Sequence, residues 1–192
     1  MLAFALTLQS LELLSLWPRL RKIWGFSRAF QTMLWLRLAA SLLLFFTAPE
    51  ALIWFLLLTT IYTAMRFGGT LNGGSDYMTV VVLSSKLVPW GDVYLAVQLT
   101  LSYFVAGLVK VRQKEWRDGS ALTTLTGLPA WMARPVLLWE CTFPVVWLNH
   151  NLCLIYLAIG LVFHLVNARV LGLNRFFWIW LAAYPSLLGI QS

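Results

Sequence analysis

The chain has 192 residues, is 60% hydrophobic and only 11% charged, and carries a formal net charge of +7. A soluble domain of this size has about 25% charged residues, so the polar surface that would keep a globular protein in water is missing. The excess of positive charge does not point to nucleic acid, because the basic residues punctuate apolar runs instead of forming one solvated face.

The fold expected from this composition is an all-α integral membrane protein. Eleven tryptophans suit the two membrane–water interfaces, where an apolar ring with one N–H donor is well placed. The first 17 residues are apolar but lack a basic start and a small-residue cleavage site, so they do not read as a signal peptide. Thr7, Gln9, Ser10, Glu12 and Ser15 make them too polar for a span. They are expected to form an amphipathic helix in the interface, joined by a basic linker to a helical membrane domain, with the division at residues 1–28 and 29–192.

A bilayer core of about 30 Å needs around 20 helical residues. Residues 30–47 and 51–67 are the first two spans, separated by Ala48, Pro49 and Glu50. A Gly-rich loop follows at 66–76. Residues 77–90 form a short or tilted apolar segment containing Lys86, and 93–111 a full span. The stretch 112–120 is the most polar of the chain, and 121–132 reads as a short interfacial helix. Residues 135–149 continue helically through Pro144, which a membrane helix tolerates when neighbours satisfy the freed carbonyl. Residues 152–167 and 176–190 complete about seven membrane segments, the last kinked at Pro185.

Charge tests that threading. With the 19–28 region in the cytoplasm, Arg66, Lys110, Arg112, Lys114, Arg117, Arg134, Arg169 and Arg175 all fall on the cytoplasmic side, as the positive-inside rule requires. The C-terminus then lies outside. Cys141 and Cys153 lie at different depths on either side of a turn near residues 149–151 and are read as unpaired. No residues show metal-ligand spacing.

Ionisable groups at membrane depth are functional candidates. Arg37, Lys110, Glu140 and His164 fall in the inner half of the bilayer. In the plainest arrangement Arg37 pairs with Glu140 while Lys110 snorkels to the headgroups. Leu99, Tyr103, Ala106, Gly107 and Lys110 share one helical stripe at 100° per residue. The small residues Ala106 and Gly107 either let another helix pack closely or open a pocket in which a desolvated Lys110 acts as a base.

The run Tyr103-Phe104-Val105-Ala106-Gly107-Leu108-Val109-Lys110, followed by Trp116-Arg117-Asp118-Gly119-Ser120-Ala121-Leu122, resembles the signature of the HTTM (horizontally transferred transmembrane) domain. That family is similar to the membrane part of vitamin K-dependent gamma-carboxylase. Asn72 to Tyr77, Glu140 to Pro144 and Phe176 to Pro185 fit the same pattern. The resemblance runs from about residue 30 onward. It implies that Lys110 is a catalytic base toward a quinone or hydroquinone, with Tyr103, Ala106, Gly107, Trp116 and Asp76 shaping the ligand pocket. The Gly-rich loop has no histidine where the carboxylase has a histidine-bearing segment. The expectation is therefore a quinone-like or lipid-like ligand with redox or carboxylase-like chemistry on it, beside a thiol-redox partner, and not carboxylation of protein glutamates. The alternative is a non-enzymatic helical subunit or scaffold of a larger membrane complex. A transporter is disfavoured because no inverted repeat is visible.

Overall fold

The computed structural model describes residues 1–25, 27–67 and 73–191. Among the described residues every regular element is helical. In chain order they are α1 (Leu2–Ser15), α2 (Trp17–Trp24), α3 (Arg28–Leu43), α4 (Glu50–Arg66), α5 (Gly73–Ser85), α6 (Gly91–Arg112), α7 (Lys114–Arg117), α8 (Ser120–Thr126), α9 (Ala133–Cys141), α10 (His150–Leu171) and α11 (Asn174–Gln191). Two compact units result. One comprises Met1–Gly91 with Arg175–Ala182, the other Asp92–Asn174 with Ala183–Ser192.

In the first unit α1 packs along α3. It buries Ala3, Ala5, Leu6, Gln9, Ser10 and Leu13, so the segment expected to lie in the interface is also a packing partner of the next helix. Leu6 joins Ala40, Ile53, Leu56, Leu57 and Leu83 in one core; Leu13, Trp17, Leu20, Phe30 and Leu34 form another. The basic linker is the helix α2. It buries Trp17 and Leu20 and leaves Arg19, Arg21 and Lys22 exposed. Gly25 closes it at φ 62°, a left-handed conformation that costs glycine nothing. Ser27 then starts α3 by accepting a hydrogen bond from the Phe30 N–H.

Arg37 is fully buried in this unit. Its Nη2 donates to Gln9 Oε1 at 2.5 Å. The Gln9 amide donates in turn to Asp76 Oδ1 at 3.2 Å. Arg175 lies 3.9 Å from the same carboxylate and 3.2 Å from Glu12. The buried guanidinium is thus tied through an amide to a carboxylate, which a charge in an apolar interior requires.

Among the described residues, two helices are long and apolar enough to cross a membrane, and both lie in the second unit. These are α6 and α10, each 22 residues with mean window hydropathy 1.5 and 1.9. Their outward stripes are apolar. Val93, Val97, Leu101, Val105 and Val109 are exposed on α6, and Leu154, Ile155, Ile159 and Val162 on α10. The remaining segments marked as spans in the sequence are shorter or less apolar among the described residues. Helices of 13 to 17 residues, as in α3, α4 and α5, extend about 20 to 26 Å, short of the hydrocarbon thickness. The expected helix through Pro144 is also corrected. α9 ends at Cys141, and Phe143–Trp147 is a 3-10 turn. Pro144 has no N–H for the Glu140 carbonyl, and its ring crowds that carbonyl. The proline Pro185 stays inside α11.

The Arg37 arrangement yields a stability test. Gln9→Leu removes the acceptor from a buried guanidinium and is expected to cost about 3 kcal/mol. Adding Arg37→Met removes the stranded charge and is expected to restore most of that loss. Unfolding in detergent micelles measures both; a double variant no more stable than Gln9→Leu contradicts the assignment.

Candidate functional site

The second unit places a buried ion pair beside a hydrogen-bonded aromatic cluster. Lys110, in the last turn of α6, donates to Glu140 Oε1 on α9. Glu140 is 2% exposed and Lys110 19%, so the carboxylate lies inside and the ammonium closes it off from one side. Lys110 Nζ also sits 4.9 Å from the Trp116 ring centroid and 5.7 Å from that of Phe163. Both distances lie within cation–π range. Glu140 Oε2 is buried and accepts no hydrogen bond from the described residues.

Three residues of the site come from one stripe of α6. α6 carries Tyr103 and Lys110 two turns apart on one face, with Gly107 between them. Gly107 is not open space. A Cβ there would stand 2.8 Å from the Cys141 backbone nitrogen and 2.9 Å from Glu140 Cβ. Of the two readings of the small-residue stripe, close helix packing is what occurs at Gly107. That approach is what brings the Glu140 carboxylate to Lys110.

Deeper in the same unit, Tyr103 Oη lies 2.5 Å from His164 Nε2 and 2.9 Å from Tyr184 Oη. All three side chains are buried. Phe143 stacks on the Tyr103 ring at 4.2 Å, and Trp139 meets its edge at 4.8 Å. Trp139 in turn lies 5.3 Å from Phe163, which connects the cluster to the Lys110 side. The Trp139 N–H donates to the Tyr156 carbonyl at 3.2 Å. Gly160 makes room for the hydroxyls: a Cβ there would be 2.4 Å from Tyr184 Oη and 3.3 Å from Tyr103 Oη.

An open, almost wholly apolar cavity of about 480 Å³ adjoins this cluster, with Met132, Pro135, Trp139, Val162, Phe163 and Asn167 among its lining residues. Among the described residues no group of His, Cys, Asp and Glu is arranged to hold a metal ion. Cys141 and Cys153 are free thiols.

Of the residues singled out in the sequence, Tyr103, Gly107, Lys110, Trp116, Glu140 and His164 meet in this unit. Ala106 is partly buried on the same helix. Arg37 and Glu140, expected to pair with one another, belong to different units. Each finds its partner inside its own unit, Gln9 for Arg37 and Lys110 for Glu140. Asp76, expected in the pocket, belongs to the first unit and serves the Arg37 network. Sequence reasoning missed Trp139, Phe163 and Tyr184; the contact of Tyr184 with Tyr103 spans 81 positions, and no periodicity reports on it.

Comparison with known protein families, curated proteins and solved structures finds no match in any of the three.

The packing at Gly107 is open to direct test. Gly107→Ala is expected to cost about 1 to 3 kcal/mol, because backbone atoms of α9 cannot move aside. Gly189→Ala, where a Cβ meets nothing within 4 Å, is expected to be neutral or slightly stabilising. Equal melting temperatures for the two variants contradict the close approach of α6 and α9.

Proposed function

We propose that this chain is a multi-pass membrane protein of the HTTM type that binds a quinone-like ligand at Lys110, where the lysine acts as a base toward the hydroquinone form. The observation that carries the reading is the position of Lys110. It is hydrogen-bonded to a buried carboxylate, lies against two aromatic rings, and retains limited exposure. A planar ring suits the aromatic flank formed by Trp116 and Phe163. The resemblance of the Tyr103 to Leu122 motif gives the lysine its role, and the apolar stripes of α6 and α10 fit a lipid environment.

The proton chemistry balances within the pair. The ammonium proton passes to the Glu140 carboxylate along their hydrogen bond, which leaves a free amine and a carboxylic acid. The amine then accepts the proton of a hydroquinone O–H. The products are a quinol anion and an ammonium ion side by side, an arrangement favoured in a low-dielectric site. Tyr103, His164 and Tyr184 lie behind the pair as a rigid polar network that fixes Trp139 and Phe143 around it. In the membrane, the basic residues at 110–117, at the end of α6, and Arg169, at the end of α10, face the cytoplasm together.

Removing Lys110 alone strands Glu140, so the clean test is the double variant Lys110→Met, Glu140→Gln. Titration of the purified protein with a soluble naphthoquinone, read by tryptophan quenching, is expected to show at least about tenfold weaker binding in the double variant. Helix content by circular dichroism is expected to stay unchanged. Unaltered quinone affinity overturns the reading and favours the non-enzymatic subunit.

A further inference from the structure

Between Glu12 and Glu50 the chain contains no aspartate or glutamate. Most cations of that stretch gather on α2 and at the start of α3. Arg19, Lys22 and Ile23 of α2 stand at i, i+3 and i+4, which places them on one helical stripe. Trp17 and Leu20, on the other side of α2, are buried in one core with Phe30 and Leu34. The stripe therefore faces outward, and Ile23 is 73% exposed. Arg21 and Arg28 are exposed as well. Arg19, Arg21, Lys22 and Arg28 have no carboxylate partner among the described residues, and the nearby Glu12 is held by Arg175.

The helix that follows shows where lipid begins. Arg28, Thr32, Trp35, Leu36 and Leu43 are exposed positions of α3, and their spacing puts them on one stripe. That stripe is polar through Thr32 and apolar from Trp35 to Leu43. Arg28 precedes Trp35 by about 10 Å at helical rise, comparable with the headgroup layer on one side of a bilayer, about 5 to 8 Å. The apolar part of the stripe suits hydrocarbon, and a tryptophan suits its boundary. Arg28 and α2 then lie at headgroup level.

We propose that α2 is a membrane-surface anchor that binds anionic phospholipid headgroups of the bilayer, with Arg19, Arg21, Lys22 and Arg28 meeting the phosphates and Ile23 reaching the headgroup–acyl boundary. Charge complementarity selects an anionic surface. Ile23 selects a bilayer over an acidic polypeptide or a nucleic acid, because it shares the cationic stripe and a lipid surface has an apolar layer directly beneath its charges. The interfacial role expected of residues 1–17 passes to α2, since α1 is occupied in packing on α3. The inference rests on the membrane reading of the chain and not on the ligand at Lys110.

The test places a fluorophore on Ile23→Cys, an exposed position whose change disturbs no core packing, in the full chain reconstituted into lipid nanodiscs. The unaltered chain, labelled in the same way, gives the blank for Cys141 and Cys153. Quenching by acrylamide, an uncharged water-soluble quencher, is compared between phosphatidylcholine and phosphatidylcholine partly replaced by phosphatidylglycerol of the same chains. The quenching constant is expected to be at least about threefold smaller in the anionic lipid. It is expected to rise again in about 1 M salt, where the Debye length is about 3 Å. The variant Arg19→Gln, Arg21→Gln, Lys22→Gln, Arg28→Gln is expected to lose the dependence on lipid charge; glutamine is a good helix former, so α2 persists in it. Equal quenching in the two lipids, which is what a surface for an acidic protein would give, overturns the proposal. So does a lipid preference that survives loss of the four cations. A chain that enters neither nanodisc overturns the membrane reading and this proposal with it, whereas one that enters both and is quenched equally contradicts only the role of α2.

Discussion

Glu140 is a carboxylate buried on a helix of nine residues in an apolar unit, and its ion pair with Lys110 is the interaction around which that unit is arranged. A lone buried carboxylate costs several kcal/mol, more than short-range packing of one turn recovers. The ammonium must therefore reach it. The approach works because Gly107, one turn before Lys110, has no side chain to hold α9 away. The ion pair fixes α9 against α6. Trp139, the neighbour of Glu140, is then set against Tyr103, and Tyr103 collects His164 and Tyr184. The first unit meets the same requirement with other groups, as Gln9 links Arg37 to Asp76.

Much of the helical layout was legible because apolar runs in this chain are broken by strong signals. Pro49 precedes α4, the Asn149 side chain caps α10, and Gly172 ends α10 in the left-handed region. The reading failed at Pro144. Repair of the freed carbonyl was expected from neighbouring helices, and the backbone instead tightened into a 3-10 turn. Span lengths were overestimated for a related reason: apolar composition continues past the points where helices end. Phe45 and Phe46 read as part of a span, yet α3 stops at Leu43 and both rings are exposed.

The site was legible one helix at a time. The 100° stripe on α6 put Tyr103, Gly107 and Lys110 on one face, where they are. It carried no information on what faces them. Lys110 meets Glu140 across 30 positions and Tyr103 meets Tyr184 across 81, and a single sequence has no local signal for such pairs. Gln9 illustrates the same limit. Its polarity argued against a span, and that polarity is what satisfies Arg37 in the interior. The motif that held Asp76 near the pocket placed a residue whose partners lie elsewhere, because sequence order does not determine which unit a helix joins.

The dependence of the second unit on one ion pair can be measured with a stability double-mutant cycle on Lys110→Met and Glu140→Gln in detergent micelles. Each single change leaves one member of the pair without its partner, while the double change removes both. The account predicts a coupling energy of about 2 kcal/mol or more between the two positions. Additivity to within about 0.5 kcal/mol would contradict it, because the two residues would then be acting independently.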